Sequence, residues 1–258
     1  MASKISIIVP TYQRGPWFQQ CLDSIHAQTY KDIEIIVIDD PKGTGAAAAR
    51  NRGLDLATGE FVMFCDDDDF LESNSVEKLV NAMAGVDMVI GSFRKVGLWT
   101  DTVQHVTEAM APYQVAEYVL GNLENPRTNQ MLSGCWAKLY RRTAVPKFLD
   151  LTTAEDMTFN FDYLGNCEYV RFISDIVYNN RKREGSLTTT FDENNKMGLF
   201  GFMHGLRHVA TFLERYYPDD VLQPALDNSK LYHSLLYFSR ICSQSGGTPR
   251  EVFMRIFP

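Results

Sequence analysis

Phe61-Val62-Met63-Phe64-Cys65-Asp66-Asp67-Asp68-Asp69 sets an unbroken apolar run directly against four consecutive aspartates. The run has the length and composition of a buried strand. Four like charges in a row repel one another, and nothing basic adjoins them. A divalent cation would neutralise them, and carboxylate oxygens are the ligands that hard Mg2+ or Mn2+ prefers. A metal at the carboxyl end of a strand in an α/β sheet lies where ligands usually bind. The rival reading, a solvated acidic turn capping a helix, is the commoner fate of a charge run; the flanking sequence decides against it.

Upstream, Ile5 to Val9 reads as a buried strand stopped by Pro10, and Ile33 to Ile38 as a second strand ending in Asp39-Asp40. Trp17, Phe18, Cys21, Leu22 and Ile25 recur at helical spacing, which predicts a helix from Pro16 to about Gln28 with proline in its first turn. Ala46 to Ala57 reads as a helix with Gly59 at its exit. Downstream, Asn74-x-x-Glu77 has the form of a capping box for a helix through Met83, and Met88 to Ile90 reads as a fourth strand. This alternation predicts an α/β fold, a mostly parallel, doubly wound sheet with helices on both faces. After Gly91 the pattern weakens: 113–120 and 157–164 look helical and 169–176 looks extended. From about Glu193 apolar residues recur at helical spacing, which predicts a small helical subdomain over 191–258.

The chain has 258 residues, 45% hydrophobic and 22% charged, as expected of one substantial domain with an appendage. A net charge of −7 argues against a general nucleic-acid binder or an anionic-membrane binder. Cys21, Cys65, Cys135, Cys167 and Cys242 are odd in number and lack a CxxC pair, the pattern of reduced cytoplasmic thiols. No signal peptide and no run of about 20 apolar residues is visible. The expected location is the cytoplasm, with peripheral contact at the inner face of the membrane left open. The apolar end Arg255-Ile256-Phe257-Pro258 hints at a chain cut from something longer, and the sequence specifies no oligomeric state.

Val9-Pro10-Thr11-Tyr12-Gln13-Arg14, Val37-Ile38-Asp39-Asp40, Ala49-Arg50-Asn51-Arg52-Gly53 and Phe64-Cys65-Asp66-Asp67-Asp68-Asp69 follow one another in the order seen in family 2 glycosyltransferases of the GT-A fold. Trp136 to Arg141 looks like that family's acceptor-side segment, Ala154 to Phe159 like its ED motif, and Arg181 to Ser186 like its basic loop. Singly these motifs are weak; in order, over roughly residues 4 to 190, they are specific. The resemblance implies a GT-A catalytic domain over 1–190, with a nucleotide-binding half (1–91) and an acceptor half (92–190).

The resemblance also implies an inverting, divalent-metal-dependent transfer of a hexosyl or N-acetylhexosaminyl group. The donor would be a nucleotide-sugar, a UDP-sugar by expectation. The acceptor would be a hydroxyl of a glycan or lipid-linked molecule, in the synthesis of bacterial surface polysaccharide. Pro10, Thr11, Tyr12, Arg14, Asp39, Arg50, Asp66 and Asp67 would line the nucleotide site, with Tyr12 stacking on uracil, Asp39 accepting its ring N–H and Asp66 on the ribose side. Asp68 would ligate Mn2+ or Mg2+, and Asp69 would support the loop. Arg181, Arg183 and Ser186 would clamp the phosphates. Asp156 would be the base that takes the acceptor's proton, with Glu155 beside it. Adjacent helical residues face different ways, so only one should reach the acceptor. Trp136 and Lys138 would meet the acceptor or sugar, though Trp136 suits the core equally. His204 and His208 have metal-ligand spacing but no third partner, and read better as helix-face residues.

The sequence departs from the family after Asp40, where Pro41 to Gly45 runs almost at once into the Ala46 helix, omitting a helix and an edge strand. That shortening creates a rival. Gly43-x-Gly45-x-x-Ala48 follows a strand and opens a helix, close to an NAD(P)-binding fingerprint of a Rossmann oxidoreductase. Asp39 and Asp40 would repel a pyrophosphate there. A calcium loop starting at Asp66 fails, because Phe70 and Leu71 take the fifth ligand position and the required glycine. A catalytically inactive nucleotide-sugar-binding protein remains a third reading.

Overall fold

The computed structural model describes residues 3–97, 101–103, 107–115, 130–151, 154–182, 205, 207–208 and 210–216. The expected alternation is present in the first part of the chain: β1 (Ile5–Thr11), α1 (Phe18–His26), β2 (Ile33–Asp39), α2 (Ala46–Leu56) and β3 (Phe61–Phe64). There follow β4 (Phe70–Leu71), α3 (Ser75–Asn81), β5 (Met88–Gly97), β6 (Asp101–Val103), β7 (Glu108–Met110), α4 (Gln130–Ser133), β8 (Lys138–Arg141), α5 (Glu155–Leu164) and β9 (Val170–Lys182).

Among the described residues nine strands form one sheet in the order β2-β1-β3-β8-β5-β9-β4, with β6 on β5 and β7 on β9. β1 pairs in parallel with both β2 and β3, the arrangement that alternating strands and helices predict. Beyond the aspartates the sheet is mixed: β8 is antiparallel to β3 and β5, whereas β5 and β9 are parallel. Residue parity sorts the core onto the two faces. Ile5, Ile7, Val9, Phe61, Met63 and Cys65 pack with Phe18, Cys21 and Ile25 of α1 and with Val76 and Leu79 of α3. Ile8, Val62 and Phe64 face the other way, onto Ala47 of α2 and Met157, Phe159 and Phe161 of α5.

Pro10 does not stop β1, which runs on to Thr11. Odd residues of β1 bond toward β2, as in Ile5 N–H to Asp32 O and Asp40 N–H to Thr11 O, while Ile8 O accepts from Cys65 N–H on the β3 side. Pro10 shares the parity of Ile8, and the last β1–β3 pair is Ile8 with Phe64. The N–H that proline lacks would therefore face the side where β3 has already ended. β9 is the other extension: it continues past Ile176 through Tyr178, Asn179, Asn180 and Arg181 along β5. A bulge near Gly91 and Ser92 accompanies it, and any Cβ at Gly91 would lie 2.3 Å from Val177 Cγ2.

The capping box is not formed. Asn74 makes no side-chain cap bond, and Glu77 instead accepts from Thr29 Oγ1 at 2.8 Å. In the tail, Phe212 and Leu213 are buried in the same cluster as α5, and Phe212 meets Phe161 edge-on at 5.6 Å. His208 Nε2 lies against Asp162 Oδ1 at 2.5 Å, a helix-face contact; His204 lies outside the described residues. No helix among the described residues is long and apolar enough to cross a membrane.

The turn from α2 into β3 is held by one carboxylate. Glu34 of β2 accepts from Ser6 Oγ at 2.5 Å, Thr58 N–H at 2.6 Å, Gly59 N–H at 3.1 Å and Thr58 Oγ1 at 2.8 Å, and pairs with Lys4 at 2.6 Å. Burial alone would raise its pKa, but hydrogen bonds from Lys4, Ser6 and Thr58 outweigh burial and bring it down from 4.5 to about 2. A depressed carboxylate stabilises the fold above its unfolded pKa and loses that contribution as pH falls through its folded one. Glu34→Gln should therefore lower the unfolding free energy by about 2 kcal/mol at neutral pH, somewhat less than the shift itself represents. Urea unfolding at several pH values checks this: the gap from wild type should close as pH falls from 4.5 toward 2.

Candidate active site

The four aspartates leave β3 and turn back beneath β9, which anchors them. Asp69 is buried and takes three donors from that strand: Tyr178 OH at 2.7 Å, Asn180 Nδ2 at 3.0 Å and Arg181 N–H at 2.6 Å. The Tyr178 hydroxyl also accepts Asp66 N–H at 3.1 Å. Burial, then the charges of Asp66 and Asp68, push the Asp69 carboxyl well above its usual range. Beneath the loop the Cys21 and Cys65 sulfurs touch at 3.7 Å. Asp66, Asp67 and Asp68 are left partly exposed at the strand end, and Thr11 Oγ1 donates to Asp67 Oδ2 at 2.5 Å.

Arg181 is tied to this loop as well. Its Nε donates to Asp68 O at 2.9 Å and its Nη2 to Gln20 Oε1 at 2.7 Å, while the guanidinium covers the rings of Trp17 and Phe70. These partners are uncharged oxygens and aromatic faces. Arg183 and Ser186 lie outside the described residues.

Arg50 is not an exposed helix arginine. It is 4% exposed and reaches from α2 to three carboxylates: Asp66 Oδ1 at 3.0 Å, Asp156 Oδ1 at 2.7 Å and Glu155 Oε1 at 3.2 Å. The expectation that Glu155 and Asp156 diverge needs correcting, because both first-turn side chains of α5 converge on Arg50 Nη1. The helix begins after Ala154, which sits in the left-handed region at φ 65. Burial raises the pKa of both acids, and the charge of Asp156 adds to the effect on Glu155, which reaches about 7. Arg50 Nε is buried and has no hydrogen-bond partner in the protein.

Past the carboxyl end of β1 the side chains of residues 12–14 are exposed. Tyr12 is 55% exposed and its ring lies over Gly43, where a Cβ would sit 3.5 Å from Cε2. Gln13 and Arg14 follow in the left-handed region, and Gln13 Nε2 donates to Tyr12 OH at 3.0 Å. Arg14 grips Asp39 with two bonds, Nε to Oδ1 at 3.0 Å and Nη2 to Oδ2 at 2.5 Å, which holds that carboxyl below its usual range. Pro10 and Thr11 bring β1 to this end.

Asp40 argues against the dinucleotide reading. Its carboxylate accepts Gly45 N–H at 3.0 Å and Thr44 Oγ1 at 2.7 Å, and Arg52 adds a contact at 3.3 Å. A pyrophosphate at this glycine turn would meet the Asp40 carboxylate, which already occupies the Gly45 N–H just ahead of α2.

On the acceptor side, Trp136 packs into the core cluster, stacked on Tyr178 at 5.2 Å and edge-on to Phe93 at 4.5 Å. Lys138, expected to meet the acceptor, is 1% exposed; its Nζ donates to Gly134 O at 2.6 Å and Trp136 O at 3.1 Å. Tyr178 and Asn180 were invisible as site residues because the polar run Asn179-Asn180-Arg181 reads as the end of a strand. Their one signal is the tyrosine at the close of an apolar strand.

Among the described residues no three His, Cys, Asp or Glu side chains converge as a ready metal cage. The carboxylates of Asp66, Asp67 and Asp68 are partly exposed oxygen donors at the end of the strand. That set fits Mg2+ or Mn2+, which keep waters and substrate phosphates in their shells instead of an all-protein cage.

A family model described as Glycosyl transferase family 2 matches residues 6–44 and 40–148. Glycosyltransferase GlyA of Streptococcus pneumoniae serotype 4 is 29% identical over 231 residues, taking in 74% of this chain and 32% of that protein. The chain thus spans about a third of that relative's length. S. aureus TarS 1-349, solved in complex with UDP-GlcNAc, has a TM-score of 0.68 at 21% identity, covering 93% of this chain and 74% of its own. Mannosyltransferase PcManGT from Pyrobaculum calidifontis, solved in complex with GDP-Man and Mn2+, has a TM-score of 0.56 at 16% identity, covering 98% of this chain and 79% of its own. These likenesses give the chain the GT-A fold.

The raised Glu155 carboxyl has a consequence for stability. An acid whose folded pKa exceeds its unfolded value costs stability above the folded pKa and nothing below the unfolded one. Glu155→Gln keeps an acceptor for Arg50 but removes the charge. The variant should be more stable than wild type at pH 8, by on the order of 2 kcal/mol. Chemical denaturation should show that gain shrinking from pH 7 down to 4.5.

Proposed function

Because the chain belongs to glycosyl transferase family 2, we propose that it transfers a sugar from a UDP-sugar to a hydroxyl of a glycan or lipid-linked acceptor, with inversion at the anomeric carbon. The observation that carries this reading is Arg50, whose buried guanidinium joins Asp66 on the donor side to Glu155 and Asp156 on the acceptor side. One planar group spans the two halves of the site, so donor and acceptor would meet within its reach.

Tyr12 stacks on uracil and Asp39 accepts its ring N–H, with Arg14 fixing the carboxylate's direction. Asp66 receives ribose hydroxyls, and Thr11 and Asp67 hold the turn between base and diphosphate. Asp68 would hold a divalent cation, which would supply charge stabilisation for the diphosphate. Arg181 adds a cation beside that loop, joined by Arg183 and Ser186 of the segment that follows it.

Asp156 takes the acceptor's hydroxyl proton. The acceptor oxygen then bonds to the anomeric carbon as the bond to the diphosphate oxygen breaks, and UDP leaves with that electron pair. The base and the leaving group stand on opposite faces of the sugar, which inverts the configuration. Burial suits Asp156 to the task, because a raised pKa brings a carboxylate nearer the pH at which it must accept a proton. The sugar is a hexosyl or N-acetylhexosaminyl group and the product a bacterial surface polysaccharide, made in the cytoplasm at the inner face of the membrane. These assignments rest on family analogy.

Thermal unfolding with UDP, GDP, CDP, TDP and NAD, each with and without Mn2+, tests the donor site. Ligand at ~100 times its Kd adds about 2.7 kcal/mol, or roughly 5–10 °C for a chain of this size. UDP should stabilise the protein, and EDTA should remove the effect; a metal-independent shift with NAD alone would sink the proposal. Asp68→Asn should lose the EDTA-sensitive part of the UDP shift. Asp156→Asn should keep that shift and lose UDP release from the donor, and near-normal release by this variant would remove Asp156 as base.

A further inference from the structure

Lys138 stands at the start of β8 with its ammonium shut away from solvent, bonded to the Gly134 and Trp136 carbonyls and 5.7 Å from the centre of the Trp136 ring. An ammonium buried among neutral partners is costly, and an apolar side chain of similar length would fill the volume more cheaply. A charge kept at such a place calls for an opposite charge that uses it. Asp156 stands one helical turn from Asn160, whose Nδ2 shares the Gly134 carbonyl with Lys138 Nζ, and it belongs to a cluster of three acids with Arg50 as their ion-pair partner.

The loop that Lys138 clamps is built against the helix of those acids. Asn160, one turn after Asp156 on α5, donates to Leu132 O at 2.8 Å and Gly134 O at 3.0 Å. The Tyr140 hydroxyl lies 2.7 Å from Asn160 Oδ1 and 3.1 Å from Cys135 O. The loop is tight: Ala137 has φ 58, and a Cβ at Gly134 would lie 2.4 Å from the Trp136 indole nitrogen. Its Cys135 thiol faces Asp156 and favours the ionised carboxylate.

We propose that Lys138 is a positioning residue for Asp156, acting as the second buried counter-charge of the acid cluster and as the clamp of the loop that carries Cys135. The proposal rests on Asp156 being the base. The titratable and charged groups around Asp156 are Arg50 from α2, Asp66 beyond β3, Glu155 on its own helix, Cys135 before β8, and Lys138 and Tyr140 within β8. Of these, Lys138 and Arg50 are the cations. Burial brings the Lys138 ammonium down to about 8, so it stays charged across the acid limb of activity.

The test compares wild type with Lys138→Met, which removes charge and donors, and Lys138→Gln, which keeps donors and removes charge. UDP binding is followed by thermal shift, and UDP release from a UDP-sugar is followed from pH 5 to 7.5, with water or an added glycan as acceptor. Both variants should bind UDP as wild type does, and both should lose rate on the acid side, with the acid limb moved up by on the order of one pH unit. An unmoved limb in both variants, or recovery of the wild-type limb in Lys138→Gln alone, overturns the counter-charge role. Loss of cooperative unfolding in both would make Lys138 a residue of the fold and overturn it equally. Normal UDP release by Asp156→Asn would instead strike the base assignment, leaving the two failures distinguishable.

Discussion

A guanidinium buried between three carboxylates is the constraint around which the site is assembled. Taking Arg50 out of water is expensive, and only the convergence of Asp66, Glu155 and Asp156 offsets that cost. Those acids come from the end of β3 and the start of α5, while the arginine comes from α2, so three elements must meet before the charge is satisfied. The surroundings are correspondingly rigid. The guanidinium lies 5.5 Å from the centre of the Phe148 ring, and Phe148 stacks on Phe159 at 3.9 Å with Phe64 edge-on to both. The strand that delivers the aspartates also supplies Phe64, which packs edge-on against the Phe148 ring beneath their counter-ion.

β9 plays the matching part on the opposite side of the loop. It is a core strand through Val170, Phe172 and Val177, all fully buried, and becomes an anchor at Tyr178, Asn180 and Arg181. Packing and site geometry are thus carried by one continuous backbone. That economy explains why a carboxylate as buried as Asp69 is retained: it is the knot between the sheet and the loop, and its donors come from a strand that cannot move without disturbing the core.

The first half of the fold was legible because its periodicity is clean. Apolar runs alternate with amphipathic helices from Ile5 to Phe64, and the aspartates announce themselves by electrostatic improbability. The second half was not, because its strands pair across long sequence separations and end in polar residues. Asn179 to Lys182 looks like a turn until β5 is seen beside it. The chemistry of the site divides in the same way. The motif residues could be picked out, but partnerships depend on tertiary approach: Arg50 with two remote acids, Arg14 with Asp39, Lys138 with the carbonyls of its own loop. Asn74 and Glu77 show the converse, a local motif whose members found better partners elsewhere.

The carboxylate of Asp40 shows how little separates two ways of holding a nucleotide. A glycine-bearing turn between a parallel strand and a helix is common raw material, and its exposed amides suit any anion. Here an anion is built into the chain, and the Asp40 carboxylate closes the turn on the Gly45 N–H and the Thr44 hydroxyl. A carboxylate at that turn repels a second anion, a diphosphate included. Glycine spacing alone is therefore a poor guide to ligand class in such folds; what an acidic residue at the end of the strand does with its oxygens is the better one.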